Sequence, residues 1–154
     1  MNKASLKKEL LEALQKTLDT LLAAHADTRE AATHPEAKPE NDKDTRALEQ
    51  SYLARGQALR IEALKAGVAA TGVMSVAACE TARVGAVIEV EDEEGEALRY
   101  FLAPEGGGTK LKGGVQVVTP ASPLGAALTG KREGDEVELV LAGKKRTWSV
   151  AAVL

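Results

Sequence analysis

The stretch LKKELLEALQKTLDTLL, residues 6–22, decides the fold of the N-terminal half. Its apolar side chains recur at steps of three and four residues, which is the period of an α-helix and not that of a strand. The stripe consists of Leu11, Leu14, Leu18, Leu21 and His25, widened by Leu6, Leu10 and Leu22. We expect the helix to begin near Ser5, a plausible N-cap, and to end near Thr33, because Pro35 disfavours helical geometry at the residue before it.

A second segment repeats the same period after residue 44. Its stripe is Leu53, Gln57, Ile61, Leu64 and Val68, and the adjoining row is Leu48, Tyr52, Arg55 and Leu59. This pattern predicts a second amphipathic helix, beginning between Asn41 and Asp44 and ending near Thr71 and Gly72, where glycine supplies the stop. Gly56 within it predicts a close approach of the two helices near Leu18.

The two helices are joined by residues 34–44, which contain Pro35 and Pro39. Proline inside a helix removes a hydrogen bond and clashes with the preceding turn, so these residues favour a bend over one continuous helix. We therefore predict an antiparallel coiled-coil hairpin over residues 1–72, about 43 Å long at 1.5 Å per residue, with its tip at about residues 34–44. A free coiled coil that merely dimerises is the alternative.

After Gly72 the apolar period changes to that of strands. Residues 73–82 form a linker, and residues 83–154 contain a hairpin with a charged turn at 92–96, a strand at 115–118 and a closing hairpin from Val137 to Val150. Ser122 as N-cap and Pro123 at the first helical position predict a short helix between that strand and the closing hairpin. The pattern indicates a two-domain α+β chain whose second domain has four or five antiparallel strands.

Composition limits the classes of function. The formal net charge of the 154-residue chain is −3, and without a basic surplus we expect no autonomous DNA binding. Cys79 is the only cysteine, which excludes an intrachain disulfide, and no apolar run is long enough to span a bilayer. These features predict a cytoplasmic protein without a membrane partner, which we expect to be a monomer. Cys79 is most simply a small apolar filler.

Residues 117–137, VVTPASPLGAALTGKREGDEV, resemble the C-terminal signature of the bacterial Gre transcript-cleavage factors, SP(L/I)xxALxGKxxGDxV. The resemblance implies a coiled-coil hairpin followed by an FKBP-like α+β domain. It further implies that this domain docks on RNA polymerase at its secondary channel while the hairpin enters the channel. On that implication Ser122, Pro123 and Leu124 are the partner-binding residues, provided that their helix lies near the polymerase surface.

The tip carries the candidate chemistry. The family pattern there is roughly Asp-Leu-x-Glu-Asn-x-Glu-Tyr, and setting Glu40 and Asn41 on its Glu-Asn places Ala37 on the Asp and Lys43 on the second Glu. Carboxylates suit Mg²⁺, a hard cation that prefers oxygen ligands. The resemblance therefore implies Mg²⁺ shared with the polymerase active site. The candidate residues, in order of preference, are Glu40, then Glu36 or Asp42, with Asp44 offering a further oxygen.

Other interpretations of these residues stay open. Asp42 and Asp44 would also stabilise the start of a helix through its dipole, and Glu36 and Glu40 would be ordinary loop acids. Arg46 and Arg55 are candidate contacts to an RNA 3′ end, or simply part of a solvated helix face. His25 is expected to be a partnered histidine in the helix seam, and Tyr100, Phe101 and Trp148 to be core residues.

The resemblance implies a transcription elongation factor that stimulates RNA cleavage by the polymerase and is not an enzyme alone. The departures at Ala37 and Lys43 keep open a Gre-like channel binder that regulates or inhibits polymerase without cleavage. A peptidyl-prolyl isomerase, suggested by the FKBP-like fold class, is a distant third, because that activity needs an aromatic-lined pocket.

Overall fold

The computed structural model describes residues 1–33 and 46–154, which form two compact units. One unit comprises residues 13–68, and the other comprises residues 1–12 together with residues 69–154. The elements are α1 (Lys3–Thr33), α2 (Arg46–Val73), β1 (Val87–Glu91), β2 (Ala97–Leu102), β3 (Lys110–Leu111), β4 (Val115–Val118), α3 (Pro123–Leu128), β5 (Glu136–Leu141) and β6 (Lys144–Val153). Two long helices followed by a sheet with one short helix, over the described residues, confirm the predicted α+β fold class. The domain boundaries proposed at residues 72 and 83 stay a prediction.

The first turn of α1 is capped by Asn2, so the predicted N-cap at Ser5 is wrong. The Asn2 side-chain oxygen accepts a hydrogen bond from the Ser5 backbone N–H at 3.1 Å, and its carbonyl accepts from the Leu6 N–H at 3.2 Å. Asparagine and serine are equally good caps. The sequence alone therefore does not decide whether Asn2 or Ser5, three residues later, caps the helix.

The unit of residues 13–68 draws its buried apolar side chains from both helices. Leu14 and Leu18 on α1 and Ile61 and Leu64 on α2 are all less than one-tenth exposed. The predicted stripe on α2 is wrong at its N-terminal end, since Leu53 is 51% exposed. The predicted start of α2 at residues 41–44 lies outside the described residues.

Two polar atoms are buried in this unit without a hydrogen-bond partner among the described residues. They are His25 Nδ1 and Gln57 Oε1, which both belong to the predicted apolar stripes. The partner predicted for His25 is therefore not found at Nδ1. An unpaired buried polar atom costs free energy, so these two positions weaken an otherwise apolar packing surface.

The predicted role of Gly56 is also wrong. A Cβ built on Gly56 meets no heavy atom of the described residues within 4 Å, so none of them approaches its backbone closely. Gly67, which lies two turns of α2 before its end, is buried instead. Gly72 lies inside the final turn of α2, which continues to Val73, and does not itself stop the helix.

Because Gly56 is exposed and surrounded by open space, Gly56→Ala should stabilise the protein. Alanine restricts the unfolded chain more than glycine does and has the higher helix propensity, which together are worth about 1 kcal/mol. The free energy of unfolding, measured by urea titration followed by circular dichroism, should rise by that amount. A decrease would show that the Gly56 backbone does make the close contact that the described residues lack.

The unit of residues 1–12 and 69–154 is built on a six-stranded sheet in the order β3-β4-β2-β1-β6-β5. The hairpins β1–β2 and β5–β6 are antiparallel as predicted. The prediction of four or five antiparallel strands missed β3, which has two residues, and the parallel pairing of β2 with β4. The sheet is therefore mixed.

The core of this unit lies against the sheet and includes the predicted aromatic core residues. Tyr100, Phe101 and Trp148 are less than one-tenth exposed, which confirms their assignment. Burial raises the pKa of the Tyr100 phenol above its usual range, and the nearby Glu96 carboxylate acts in the same direction. Cys79 packs against this core as a partly buried small side chain, in line with its predicted role as a filler.

The first turns of α1 belong to the same unit and are tied to it by polar contacts. The Lys3 and Lys7 ammonium groups donate to the carbonyls of Ala77 and Met74 at 2.8 and 2.9 Å. Burial lowers the pKa of the Lys3 ammonium. The Glu9 carboxylate accepts from the Lys112 backbone N–H at 3.1 Å. The two lysine bonds hold the segment after α2 against the start of α1, and the Glu9 bond ties the same helix start to the residue after β3.

Neither long helix, over its described residues, contains a stretch apolar enough to cross a membrane.

Candidate functional site

The signature helix α3 is formed by local chemistry that its sequence prescribes. The Ser122 hydroxyl accepts from the Gly125 backbone N–H at 3.0 Å and donates to the Thr119 carbonyl at 2.7 Å. Pro123 occupies the first turn, where its missing N–H leaves no helical bond unmade. The predicted N-cap and the predicted short helix are both confirmed.

Gly125 fixes the position of this helix against the turn that precedes it. A Cβ added at Gly125 would lie 1.8 Å from the Thr119 carbonyl oxygen, which no side chain tolerates. At the other end of α3, the Thr129 hydroxyl and backbone N–H both donate to the Gly125 carbonyl, at 2.7 and 3.0 Å. Residues 119–129 therefore form one tightly bonded surface element.

The three predicted partner-binding residues differ in what they present to solvent. Pro123 is exposed, Ser122 is half-buried, and Leu124 is partly buried against the core cluster of the sheet. Leu128, on the inner side of α3, is fully buried. Of the three, Pro123 is the residue that a partner can contact without displacing core packing.

The two arginines predicted to contact RNA are both exposed on α2, but α-helical geometry does not bring them together. Arg46 and Arg55 are nine residues apart, which is two and a half turns at 3.6 residues per turn. Their side chains therefore leave opposite sides of α2. A single RNA strand lying along one side of this helix would contact one of them directly.

The side of α2 that carries Arg55 also exposes three large side chains, which the sequence pattern alone did not predict to be exposed. Leu48, Tyr52 and Leu59 are 53%, 62% and 69% exposed and share the helical period with Arg55. Sequence reasoning assigned them to a row adjoining the apolar stripe. The signal that distinguishes them is the combination of Tyr and Arg at a three-residue spacing, since both are enriched at the centres of binding surfaces.

A cavity of about 400 Å³ beside the β1–β2 turn does not suit an isomerase. Its lining residues are Asp92, Glu93, Glu94, Glu96, Lys145, Arg146, Thr147 and Trp148. A proline-binding pocket needs aromatic walls, and Trp148 is the one aromatic of this lining. Tyr100 and Phe101 are buried in the core and do not line it.

The α3 signature lies within the part of the chain that matches a known protein family. The family model described as "Transcription elongation factor, GreA/GreB, C-term" matches residues 77–154, about half of the chain. Transcription elongation factor GreA of Thioalkalivibrio sulfidiphilus is 30% identical over 149 residues, covering 96% of this chain and 90% of the relative. The chain belongs to the GreA/GreB family.

One further curated relative and two solved structures are similar to this Gre-family chain. Transcription elongation factor GreA of Methylococcus capsulatus is 30% identical over 125 residues, 80% of this chain and 77% of that protein. The solved structure of GreA factor homolog 1 (Gfh1) of Thermus thermophilus is 21% identical, covers 94% of both chains and has a TM-score of 0.41. The solved structure of a prokaryotic transcription elongation factor GreA/GreB from Nitrosomonas europaea is also 21% identical, covers 48% of this chain and 60% of that chain, and has a TM-score of 0.39.

The tip residues of the Gre-family chain lie outside the described residues. These are the four candidate acids Glu36, Glu40, Asp42 and Asp44 and the two departures Ala37 and Lys43. Within residues 1–33 and 46–154, no three His, Cys, Asp or Glu side chains are grouped closely enough to hold a metal ion. The Mg²⁺ ligand set therefore stays a prediction on the tip.

Proposed function

We propose that this protein is a transcription elongation factor that binds bacterial RNA polymerase, inserts its helical hairpin into the secondary channel and stimulates cleavage of backtracked RNA. The polymerase active site performs the cleavage, so the factor is not an enzyme alone. The observation that carries the proposal is the GreA relative that aligns with both the helices and the sheet, over 96% of the chain. The partners are RNA polymerase and the RNA 3′ end within the complex, and the factor acts as a monomer in the cytoplasm.

The tip acids have the chemistry that this function needs. Carboxylate oxygens are the protein ligands that Mg²⁺ prefers, and the ion keeps several waters when one or two carboxylates bind it. When bound, a second Mg²⁺ supplies stabilisation of the attacking and leaving oxygens of phosphodiester hydrolysis. Glu40 is the first candidate to hold it together with the polymerase, followed by Glu36, Asp42 and Asp44.

The described residues support separate roles for the two units. The exposed Pro123, next to the half-buried Ser122 and Leu124, would dock on the polymerase through α3. On α2, Arg55 lies beside the exposed Tyr52, and this pair offers a cation and an aromatic face to the RNA 3′ end. Arg46 lies on the opposite side of α2, so it would contact RNA only if RNA also lay along that side.

A Gre-like channel binder that regulates or inhibits polymerase without cleavage is the second candidate. The sequence feature that favours it is the pair Ala37 and Lys43, which stand where the family tip has carboxylates. Lys43 would bring a positive charge toward a site that binds Mg²⁺, and that repulsion would weaken metal delivery.

One assay separates these candidates. A backtracked elongation complex, stalled with a 3′-end-labelled transcript, is incubated with the protein and Mg²⁺, and the release of short 3′ fragments is followed with time. Accelerated release supports the cleavage factor. Binding to the complex without acceleration favours the non-cleaving regulator. Failure to bind polymerase contradicts both.

Docking through α3 gives a further test. Pro123→Glu places a charge on the exposed position of α3 without removing any buried contact, so we expect unchanged thermal stability and an affinity for RNA polymerase reduced about tenfold. Affinity is measured by fluorescence anisotropy of the labelled factor. The control is Glu105→Gln, which changes the net charge of the same unit by one in the opposite direction. If Pro123→Glu and the unchanged protein bind RNA polymerase with equal affinity, α3 is not part of the interface.

A further inference from the structure

Strand β5 lies at the end of the sheet, and its outer edge is open. It pairs with β6 along its whole length, from Glu136 opposite Ser149 to Leu141 opposite Lys144. In the part of the chain that the structure describes, no strand pairs with its other edge. An unpaired edge strand of six residues is a template for strand addition by another chain.

The β5–β6 turn determines which backbone groups point outward. Ala142 and Gly143 form a two-residue turn with φ values of 51° and 77°, as a type I′ turn requires. Such a turn makes its flanking residues, Leu141 and Lys144, a hydrogen-bonded pair, and bonded pairs then alternate along the ladder. The N–H and C=O groups of Glu136, Glu138 and Val140 therefore face away from β6. Among the described residues, none of these groups has a backbone partner.

The side chains along this edge alternate in chemistry. On the core face, exposure increases toward the hairpin tip, from the buried Val137 through the half-buried Leu139 to Leu141, which is 40% exposed. On the opposite face, Glu136 and Glu138 are exposed and Val140 is 66% exposed. The edge thus offers apolar contacts on one face. On the other face it offers Val140 and two carboxylates, of which the Glu138 carboxylate lies 3.3 Å from the Lys145 ammonium.

We infer that β5 binds an extended segment of a partner protein in which cationic and apolar residues alternate. The segment would add a seventh strand by bonding the outward groups of Glu136, Glu138 and Val140. Its cationic side chains would lie beside Glu136 and Glu138, and its apolar side chains beside Leu139 and Leu141, because neighbouring side chains on one face of a sheet pair across strands. This inference does not depend on the proposed function.

A second copy of this chain fits the edge less well. Two-fold pairing of β5 with itself is antiparallel and must match outward groups with outward groups. Glu138 of one copy would then lie opposite Glu138, Glu136 or Val140 of the other copy, and none of these pairings places it opposite a cation. The Lys145 ammonium, 3.3 Å from the Glu138 carboxylate, offsets only part of that repulsion, since both side chains are more than half exposed.

The test uses two synthetic twelve-residue peptides, one alternating Lys and Val and the other alternating Glu and Val, each fluorescently labelled. Binding to the full chain is measured by anisotropy at low salt, and the bound residues are located by amide NMR shifts. We expect the Lys/Val peptide to bind, with the largest shifts at residues 136–141, and the Glu/Val peptide to bind at least about tenfold more weakly. Equal binding of the two peptides, or shifts elsewhere, would overturn the inference.

Val140→Pro separates strand addition from contact through charge alone. Proline at an outward position removes one N–H that faces the partner and leaves the β5–β6 ladder intact. We expect Val140→Pro to weaken binding of the Lys/Val peptide about tenfold. Val140→Thr, which keeps the N–H, should weaken that binding less than about threefold. Circular dichroism checks that both variants fold. Equal affinity for the two variants, or a dimer of the unchanged chain that Val140→Pro dissociates, would contradict the proposal.

Discussion

Glu40→Ala should abolish the stimulation of transcript cleavage while leaving the affinity for RNA polymerase unchanged. The expected loss is about 100-fold or more in the rate of fragment release, because groups that stabilise charge in the reaction have effects of that size. A carboxylate can supply two oxygens to Mg²⁺, whereas the alanine methyl group supplies none. The rate is measured with the stalled, backtracked complex at saturating factor, so that a change in affinity does not enter.

The other tip acids serve as controls for this assignment. Glu40→Gln keeps the size of the side chain and removes its charge, and it should behave as Glu40→Ala does. Glu36→Ala, Asp42→Ala and Asp44→Ala, tested separately, should each have a smaller effect. If Glu40→Ala retains full stimulation and Glu36→Ala loses it, the tip is shifted in register and the assignment to Glu40 is wrong.

The helices could be predicted from the sequence because their signal is local. Leu14, Leu18, Ile61 and Leu64 recur at the helical period, and all four are buried. Which part of a wide apolar stripe is covered is not a local property, however. Leu53 belongs to the same period as Ile61 and is nevertheless 51% exposed, since burial depends on what lies opposite it.

The sheet shows the same division between local and non-local information. Both antiparallel hairpins were predictable, because a turn brings adjacent strands together. The parallel pairing of β2 with β4 was not, since it joins Arg99 to Val115 across a connection that includes a two-residue strand. Parallel pairing leaves no turn motif in the sequence.

The candidate site divides along similar lines. The α3 cap followed from Ser122 and Pro123 alone, since capping is chemistry between residues three apart. The proposed polymerase-binding role of the same helix rests only on the family resemblance, and so does the order of preference among the tip acids. The row beside Arg55 was recognised as a helical row, but its exposure was not predicted, because apolar residues at helical spacing usually face a core.

Gly125→Ala should destabilise the protein by about 3 kcal/mol or more, although the same substitution in a helix usually stabilises by about 1 kcal/mol. The added Cβ would lie 1.8 Å from the Thr119 carbonyl oxygen and 2.9 Å from the Ser122 hydroxyl oxygen. Both atoms belong to the cap of α3, and the Thr119 oxygen is fixed backbone. To make room, α3 must move away from the turn, which would lengthen the bond between the Ser122 hydroxyl and the Gly125 N–H and lose a cap worth about 1 kcal/mol.

Urea unfolding of Gly125→Ala and Gly56→Ala, measured side by side, isolates this effect. Both variants add one methyl group to a helical glycine, but Gly56 has open space and Gly125 has none within reach. We therefore expect free energies of unfolding that change in opposite directions, with a difference of about 4 kcal/mol between the variants. Because Pro123 is carried by the same helix, Gly125→Ala should also weaken polymerase binding, under conditions where the variant is still folded. If both variants gain stability, the contact between Gly125 and Thr119 is not a structural constraint, and α3 is free to take another position on the sheet.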